Sequence, residues 1–554
     1  MNKNNLFTAV KINPFIWYIL LFLPIILYAV TIGILHKNLP AFDDYIVQLE
    51  IAHVIEAESF LEKIKIIFAQ LNEHRIAYTR LWFLIDYITT EKSLSYSALI
   101  FIGNLPLLGI WILFLWWMKR IECSPWAMLC VGWILFQFQF YENSLWAMAS
   151  LQNITIHFLY LLLFTLLSIP GRKYWVWSFL VAVVTCYTSG NGFFVLGIGM
   201  LSLIFQKRWS HLIWWVGFTA LLSALYFYGY ESNRNYSTFE GAPAPVIDKL
   251  FGFAAFLGQI CVIHPKVANH HFIIRCGFIL SFLAIVLCVV GVIKLWKIYI
   301  RNQEIKKDHY FLVVLIQVTG FILFSAAILS HTRIEAGDYQ AAIISRYQLY
   351  PTMLIICIFC MTLILANRLK MVIAGAALPV AILVWLSIFQ TSLPGMYQFR
   401  SDILVSFYNT TDLPNPDSLL IEKVFTPKLK SEAELTLIQN ALKTPEPWKG
   451  TALKISSASV DCEECVNSSL PDETSYIVLY HPLRQIIYPV RRTPNAGFLS
   501  FWLKGKLFMN GFQGTINPFF YLAAKNKLTY RVGILQRDKT KMKFYLTQSA
   551  LDFI

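Results

Sequence analysis

Residues 14–35 read PFIWYILLFLPIILYAVTIGIL and contain no charged side chain. An α-helix needs roughly 20 apolar residues to cross the hydrocarbon core of a bilayer, so this run can span it once. It lacks a small-residue cleavage site and further apolar runs follow, so it reads as a first span or signal anchor and not as a removed leader. Comparable runs recur at about 97–118, 125–140, 153–169, 174–189, 192–206, 211–229, 272–293, 310–330, 348–366 and 371–390. The sequence therefore predicts about 11 spans and a mostly α fold, a polytopic transmembrane helix bundle.

Composition agrees. Of 554 residues, 57% are hydrophobic and 14% charged, and the 16% that are aromatic outnumber the charged ones. This excludes a string of soluble domains. A net charge of +14 would suggest a polyanionic partner if the basic residues clustered. Instead they fall in every second connection: Lys3 and Lys11, Lys119 and Arg120, Arg172 and Lys173, Lys207 and Arg208, Lys294 through Lys307, and Arg368 with Lys370. The positive-inside rule places these, and the N-terminus, in the cytoplasm. No nucleic-acid partner is predicted. A further candidate span at 250–263 would invert everything after it, so it is read as a re-entrant or interfacial segment.

The other connections are then external: residues 36–96, 141–152, the turn at Ser189–Asn191, 230–271, 331–347, and the tail from about 395. The spans themselves hold almost no ionisable residues, which argues against an ion-coupled transporter. The first outer loop carries Asp43 and Asp44, then Ala57, Leu61, Ile64 and Phe68 at helical spacing, the pattern of an interfacial helix. The acidic pair either caps that helix or supplies a general base and oxygen ligands for a divalent cation. Asn72 is a predicted N-cap, with Glu73, His74 and Arg75 in the first turn of a second short helix.

Glu142, Asn143, Trp146 and Gln152 in the second loop, with Gln137 and Gln139 before them, are either interfacial anchors or sugar-binding groups. The turn Thr188–Gly192 is short enough to bring non-helical backbone to membrane depth, where it must line a polar cavity or be buried in protein. In the loop at 331–347, Arg333 and Arg346 can each fork onto a phosphate or snorkel to headgroups, and Tyr347 adjoins the second of them.

The division predicted is 1–394, the transmembrane part, and 395–554, a small external domain of mostly β character. That domain has a helical stretch near 431–443 and strands near 452–456, 476–480, 485–491, 530–535 and 543–547. Cys462 and Cys465 form a predicted disulfide there, since a metal site would want a second pair.

The long first outer loop, its acidic pair Asp43–Asp44, the interfacial helices, the many spans and the external C-terminal domain together resemble the GT-C superfamily of integral-membrane glycosyltransferases, which use a polyprenyl-phosphate sugar as donor. The chain is also similar to uncharacterised bacterial membrane proteins with an Asn-Glu-His-Arg segment, here Asn72-Glu73-His74-Arg75, and a later Ser-Arg-Tyr, here Ser345-Arg346-Tyr347. The resemblance covers about the first 390 residues. It implies that Asp43 or Asp44 is the general base on an acceptor hydroxyl, or that Asp44 holds a divalent cation such as Mg or Mn. It implies Arg346 or Arg333 on the donor phosphate, and Glu73, His74, Arg75, Glu142, Asn143, Asn191 and Tyr347 around the substrates. Relatives carry a separated acidic pair whereas these acids are adjacent, so the choice of base stays open. The implied reaction is an inverting displacement onto an envelope glycan or lipid, as in lipopolysaccharide or O-antigen modification, at the outer face of the bacterial cytoplasmic membrane. The alternatives are a transporter or flippase for lipid-linked glycans, or a non-catalytic partner in envelope assembly.

Overall fold

The computed structural model describes residues 14–231, 244–263, 269–335 and 337–411, and in the C-terminal region 420, 424–425, 433–447, 454–455, 459–462, 475–482, 484–508, 512–515, 529–538 and 541–552. Helix α1 (Pro14–Leu35) leads into a segment with α2 (Asp44–Glu56), α3 (Phe60–Ile67), a hairpin of β1 (Gln70–Leu71) and β2 (His74–Arg75), and α4 (Ala77–Thr89). There follow α5 (Tyr96–Arg120), α6 (Pro125–Leu135), α7 (Tyr141–Leu145), α8 (Ala147–Ala149), a π-helical stretch Ser150–Ile154, and α9 (Thr155–Ser168). Next come α10 (Arg172–Cys186), a 3-10 turn Gly190–Phe194, α11 (Val195–Phe205), α12 (Trp209–Phe227), α13 (Val246–Gly258) and α14 (His270–Ile300). The helical part ends with α15 (Lys307–Arg333), a 3-10 turn Ser345–Tyr347, α16 (Leu349–Leu365) and α17 (Lys370–Thr411).

Among the described residues, 8 helices are long and apolar enough to cross a membrane. They coincide with eight of the runs read from the sequence. The runs at 125–140, 174–189 and 192–206 fold as α6, α10 and α11, of 11, 15 and 11 residues, shorter than the roughly 20 residues of a full span, while α10 and α11 still lead from the basic connections at 172–173 and 207–208 to the turn at Gly190–Asn191. Large apolar side chains on the outer faces of the long helices, such as Trp214 on α12 and Phe282 on α14, are more than half exposed and suit contact with lipid. Helix α13, at 13 residues, is about 20 Å long, shorter than the hydrocarbon core of a bilayer. It lies backbone to backbone against α14: a Cβ at Gly277 would sit 1.7 Å from the carbonyl oxygen of Ala254, so only glycine allows the approach.

The helix predicted to start at Asn72 does not form. Gln70 and Leu71 pair antiparallel with Arg75 and His74, and Asn72 takes the left-handed turn between them with φ of 50°. Asn tolerates that conformation better than other side-chain-bearing residues, which is why a residue suited to an N-cap here serves a turn. The helix begins only at Ala77.

Helix α17 runs for 42 residues, through Pro379 and Pro394, so residues 395–411 continue the last span as helix before the tail's own elements begin. The described tail contains α18 (Ala433–Leu442), α19 (Phe498–Lys504) and eight strands: β3 (Glu446–Pro447), β4 (Lys454–Ile455), β5 (Ser459–Cys462), β6 (Ser475–His481), β7 (Arg484–Pro489), β8 (Phe512–Thr515), β9 (Thr529–Asp538) and β10 (Lys541–Asp552). They form a five-stranded sheet of order β3-β10-β9-β6-β7 and a three-stranded sheet β4-β5-β8. The tail is fastened to the helices: the buried Asn409 amide of α17 both donates to the Ile487 carbonyl (2.8 Å) and accepts from its N–H (3.1 Å). Cys465, and with it the Cys462–Cys465 pairing, lies outside the described residues.

Candidate functional site

The first loop turns sharply at Phe42, with φ of 46°, and its ring packs on Trp146 (5.0 Å) and Phe399 (5.7 Å). That turn sends the two acids in different directions. Asp44 is fully buried; its Oδ2 accepts from the N–H of Ala41 (3.0 Å) and its Oδ1 from the N–H of Met148 (2.8 Å). It staples the start of α2 to α8. Burial pushes its pKa up to about 7 against the pull of these two bonds, and the charge of Asp43 adds to the rise. Asp43 makes no capping bond to the helix behind it and lines a cavity of about 500 Å³. Burial raises its pKa, and the cation of Arg346 pulls it down.

The cavity wall draws on every interhelical connection that the charge pattern groups together: Asp43, Glu73 and His74 from the first, Trp146 and Met148 from the second, Gly190 and Asn191, Tyr230 and Phe256, and Arg333, Arg346 and Tyr347. The connections rich in Lys and Arg contribute none of its lining. They meet one another instead: Lys370 reaches the Glu122 carbonyl and Lys207 stacks on Tyr299.

Arg346 is held by its backbone. Ser345 Oγ donates to the Gln139 carbonyl (2.7 Å) and accepts from the Glu142 N–H (3.2 Å), while Asn143 Nδ2 donates to the Arg346 carbonyl (2.7 Å). Its guanidinium lies over the Trp146 and Tyr347 rings, 6.0 and 5.8 Å from their centroids. Its Nε is buried with no hydrogen-bond partner. Buried donors in folded proteins are normally paired, so an open one on a cavity wall marks a place for a ligand or water. Arg333 donates through Nη1 to the Tyr347 hydroxyl (3.3 Å), bringing both arginines to one ring.

Further buried polar atoms of residues on this wall lack partners within the protein, among them His74 Nδ1 and Asn191 Oδ1. Asn191 is oriented by its Nδ2, which donates to the Tyr350 hydroxyl and to Ser325 Oγ (3.2 Å). His74 touches the 3-10 turn so closely that a Cβ at Gly190 would fall 2.2 Å from Nδ1. Burial, then the charge of Arg333, lowers the His74 pKa, so the ring is neutral at pH 7.

Several expected site residues do other work. Arg75 lies off the cavity; its Nε, Nη1 and Nη2 donate to the carbonyls of Tyr226, Phe68 and Tyr228 at 2.6–2.8 Å, tying the hairpin to the end of α12. Asn143 is fully buried behind the wall and accepts from Asn153 Nδ2 (3.0 Å). Glu142 also lies off the lining; burial raises its pKa and Arg346 lowers it. Gln137 and Gln139 are buried and spent on Thr352 and on the carbonyls of Ile260 and Val262. Conversely, Asn153, Ser325 and Tyr350 line the cavity without having been singled out. Ser325, Leu329, Thr332 and Arg333 do share one face of α15 at helical spacing, a detectable signal, whereas Asn153 arrives through a π-helical stretch that no spacing rule foretells.

Among the described residues no group of three or more His, Cys, Asp or Glu side chains could hold a metal ion. Each Asp44 oxygen accepts one backbone N–H, from Ala41 and Met148, which leaves its second lone pair open. Fold and site thus define a polytopic membrane protein with a polar cavity at one end of its helix bundle. No family model matches the chain, and neither a curated protein nor a solved structure does.

Proposed function

We propose that the chain is a membrane glycosyltransferase of GT-C type that moves a sugar from a polyprenyl-phosphate donor to an envelope glycan or lipid on the outer face of a bacterial cytoplasmic membrane. The observation that carries this reading is the meeting of Asp43 with Arg346, whose Nε has no partner, on one cavity wall. In the proposed step an acceptor hydroxyl attacks the anomeric carbon while its proton passes to the Asp43 carboxylate. The bond from that carbon to the phosphate oxygen breaks, its electron pair leaves on the lipid phosphate, and configuration inverts.

A carboxylate raised by burial is a better base near neutrality than an exposed one. The leaving phosphate gains charge as the bond breaks, and a fixed guanidinium in a site of low dielectric stabilises it far more than it would in water. Arg346 takes that role and Arg333, across the Tyr347 ring, shares it. Neutral His74 and the open Asn191 carbonyl oxygen suit sugar hydroxyls. Asp44 holds the loop that aims Asp43.

The reading is tested by expressing Asp43→Asn and Arg346→Ala in the native host and measuring envelope glycan modification beside membrane abundance. Loss of modification at normal abundance supports it. Normal modification in both variants would overturn the assignment of this cavity as a transferase site.

A further inference from the structure

Helix α19 belongs to the tail, yet it does not pack as part of either sheet. Phe501, Leu507 and Phe508 form a small core with Phe389, Leu393 and Tyr397 of α17, and Trp502 stacks on Phe389 at 5.7 Å. Phe389 lies 19 residues along α17 from Lys370, about 28 Å at the helical rise, which is roughly one hydrocarbon thickness. The helix is therefore seated beside a spanning helix, at the level where that helix leaves the apolar layer.

At about 100° per residue, Phe498, Leu499, Trp502 and Leu503 share one side of α19 while Ser500 and Lys504 share another. The apolar side is bare: Phe498, Leu499 and Leu503 are 48%, 68% and 78% exposed. The segment is nevertheless tightly built. Asn495 accepts from the Gly497 N–H (3.0 Å) and donates to Ser500 Oγ (2.9 Å) and the Lys506 carbonyl (2.7 Å), and Gly505 closes the helix in a left-handed cap. Gln390 of α17 ties the Asn495 carbonyl to the span. A hydrogen-bonded loop that holds three large apolar side chains outward, packed beside a spanning helix, has a surface suited to the bilayer.

We infer that α19 is a membrane-seated anchor: its Phe498–Leu499–Leu503 face enters the boundary between acyl chains and headgroups, with Lys504 and Lys506 toward the phosphates. The tail is then fixed against the membrane at two places, through α17 and through α19. This does not depend on the activity proposed above.

The test uses the full chain in lipid nanodiscs. Leu503→Cys and, as an aqueous comparison on the exposed start of β10, Lys541→Cys are labelled with an environment-sensitive fluorophore, and the signal of equally treated unsubstituted protein is subtracted. The label at 503 is expected to lose most of its emission to spin-labelled acyl chains and little to aqueous iodide, with the reverse at 541. Iodide quenching at 503 equal to that at 541 would overturn the inference, since the face would then be in water. Quenching by neither agent would overturn it as well, because the face would then be covered by protein.

Discussion

Two clusters of charge in this molecule are built on opposite plans. Where the tail joins the helices, Lys37, Arg400 and Glu434 close on one another, with Nζ and Nη2 at 2.7 and 3.0 Å from the same carboxylate oxygen. Burial alone would raise the Glu434 pKa, but the two cations outweigh it and hold the carboxyl below its ordinary value. In the cavity, Asp43 and Arg346 influence each other electrostatically, yet the Arg346 Nε, the His74 Nδ1 and the Asn191 Oδ1 stay open. Charges that satisfy one another hold parts together. Charges that face a cavity with bonds unmade are available to a ligand, and the structure accepts the energetic cost of leaving them so.

Substitutions can break this contrast, and the largest effect is expected at Asp43. Asp43→Asn removes the proposed base and should lower transfer by about 10²–10⁴-fold without altering thermal stability; measurement of both in nanodiscs with polyprenyl-phosphate sugars decides it. Glu434→Ala should behave in the opposite way. It removes the carboxylate shared by the buried Lys37 and the half-buried Arg400 and should cost roughly 3–5 kcal/mol, seen as a lower unfolding temperature and easier proteolysis of the tail, with turnover per folded molecule kept. Arg346→Ala is expected to reduce transfer about 10²–10³-fold, with Lys a poor substitute because its single ammonium cannot fork onto a phosphate.

A smaller effect is expected at Asp44. Asp44→Ala leaves the N–H groups of Ala41 and Met148 unpaired and should cost about 1–3 kcal/mol of stability, lowering transfer only through the loosened loop. An Asp44→Ala protein as stable as the parent, and as dead as Asp43→Asn, would reverse the roles given to the two acids. The subtlest effect is in the pH profile. Asp43 must be ionised to accept a proton and its pKa is raised by burial, so the acid limb of kcat/KM should lie above the range of an exposed carboxylate. Because Arg346 pulls that pKa down, the residual activity of Arg346→Ala should show the limb displaced to still higher pH. An unmoved limb would mean that another group titrates.

How much of this was legible in sequence varies by residue. The long apolar runs needed only composition, because a bilayer fixes the length a helix must have. The runs at 125–140, 174–189 and 192–206 looked like the others by hydropathy, yet their helices are shorter, and a 3-10 turn at Gly190–Phe194 lies between the last two. The Asn72 segment misled because Asn serves both N-caps and left-handed turns, and only its pairing partners settle which. Asp43 and Asp44 could not be told apart, since neighbours in sequence diverge once the backbone turns at Phe42.

Sequence by itself thus determined a membrane-embedded helical bundle and the set of connections in which polar residues gather. Burial of apolar length and exclusion of charge from lipid act on each segment separately, so a linear reading captures them. Only the tertiary structure decided that Arg75, Glu142 and Asn143 stand behind the wall, that Asp43 and not Asp44 faces inward, and that Asn153, Ser325 and Tyr350 join the site. Those outcomes depend on which backbone groups each side chain meets across hundreds of residues, and no local pattern encodes such meetings.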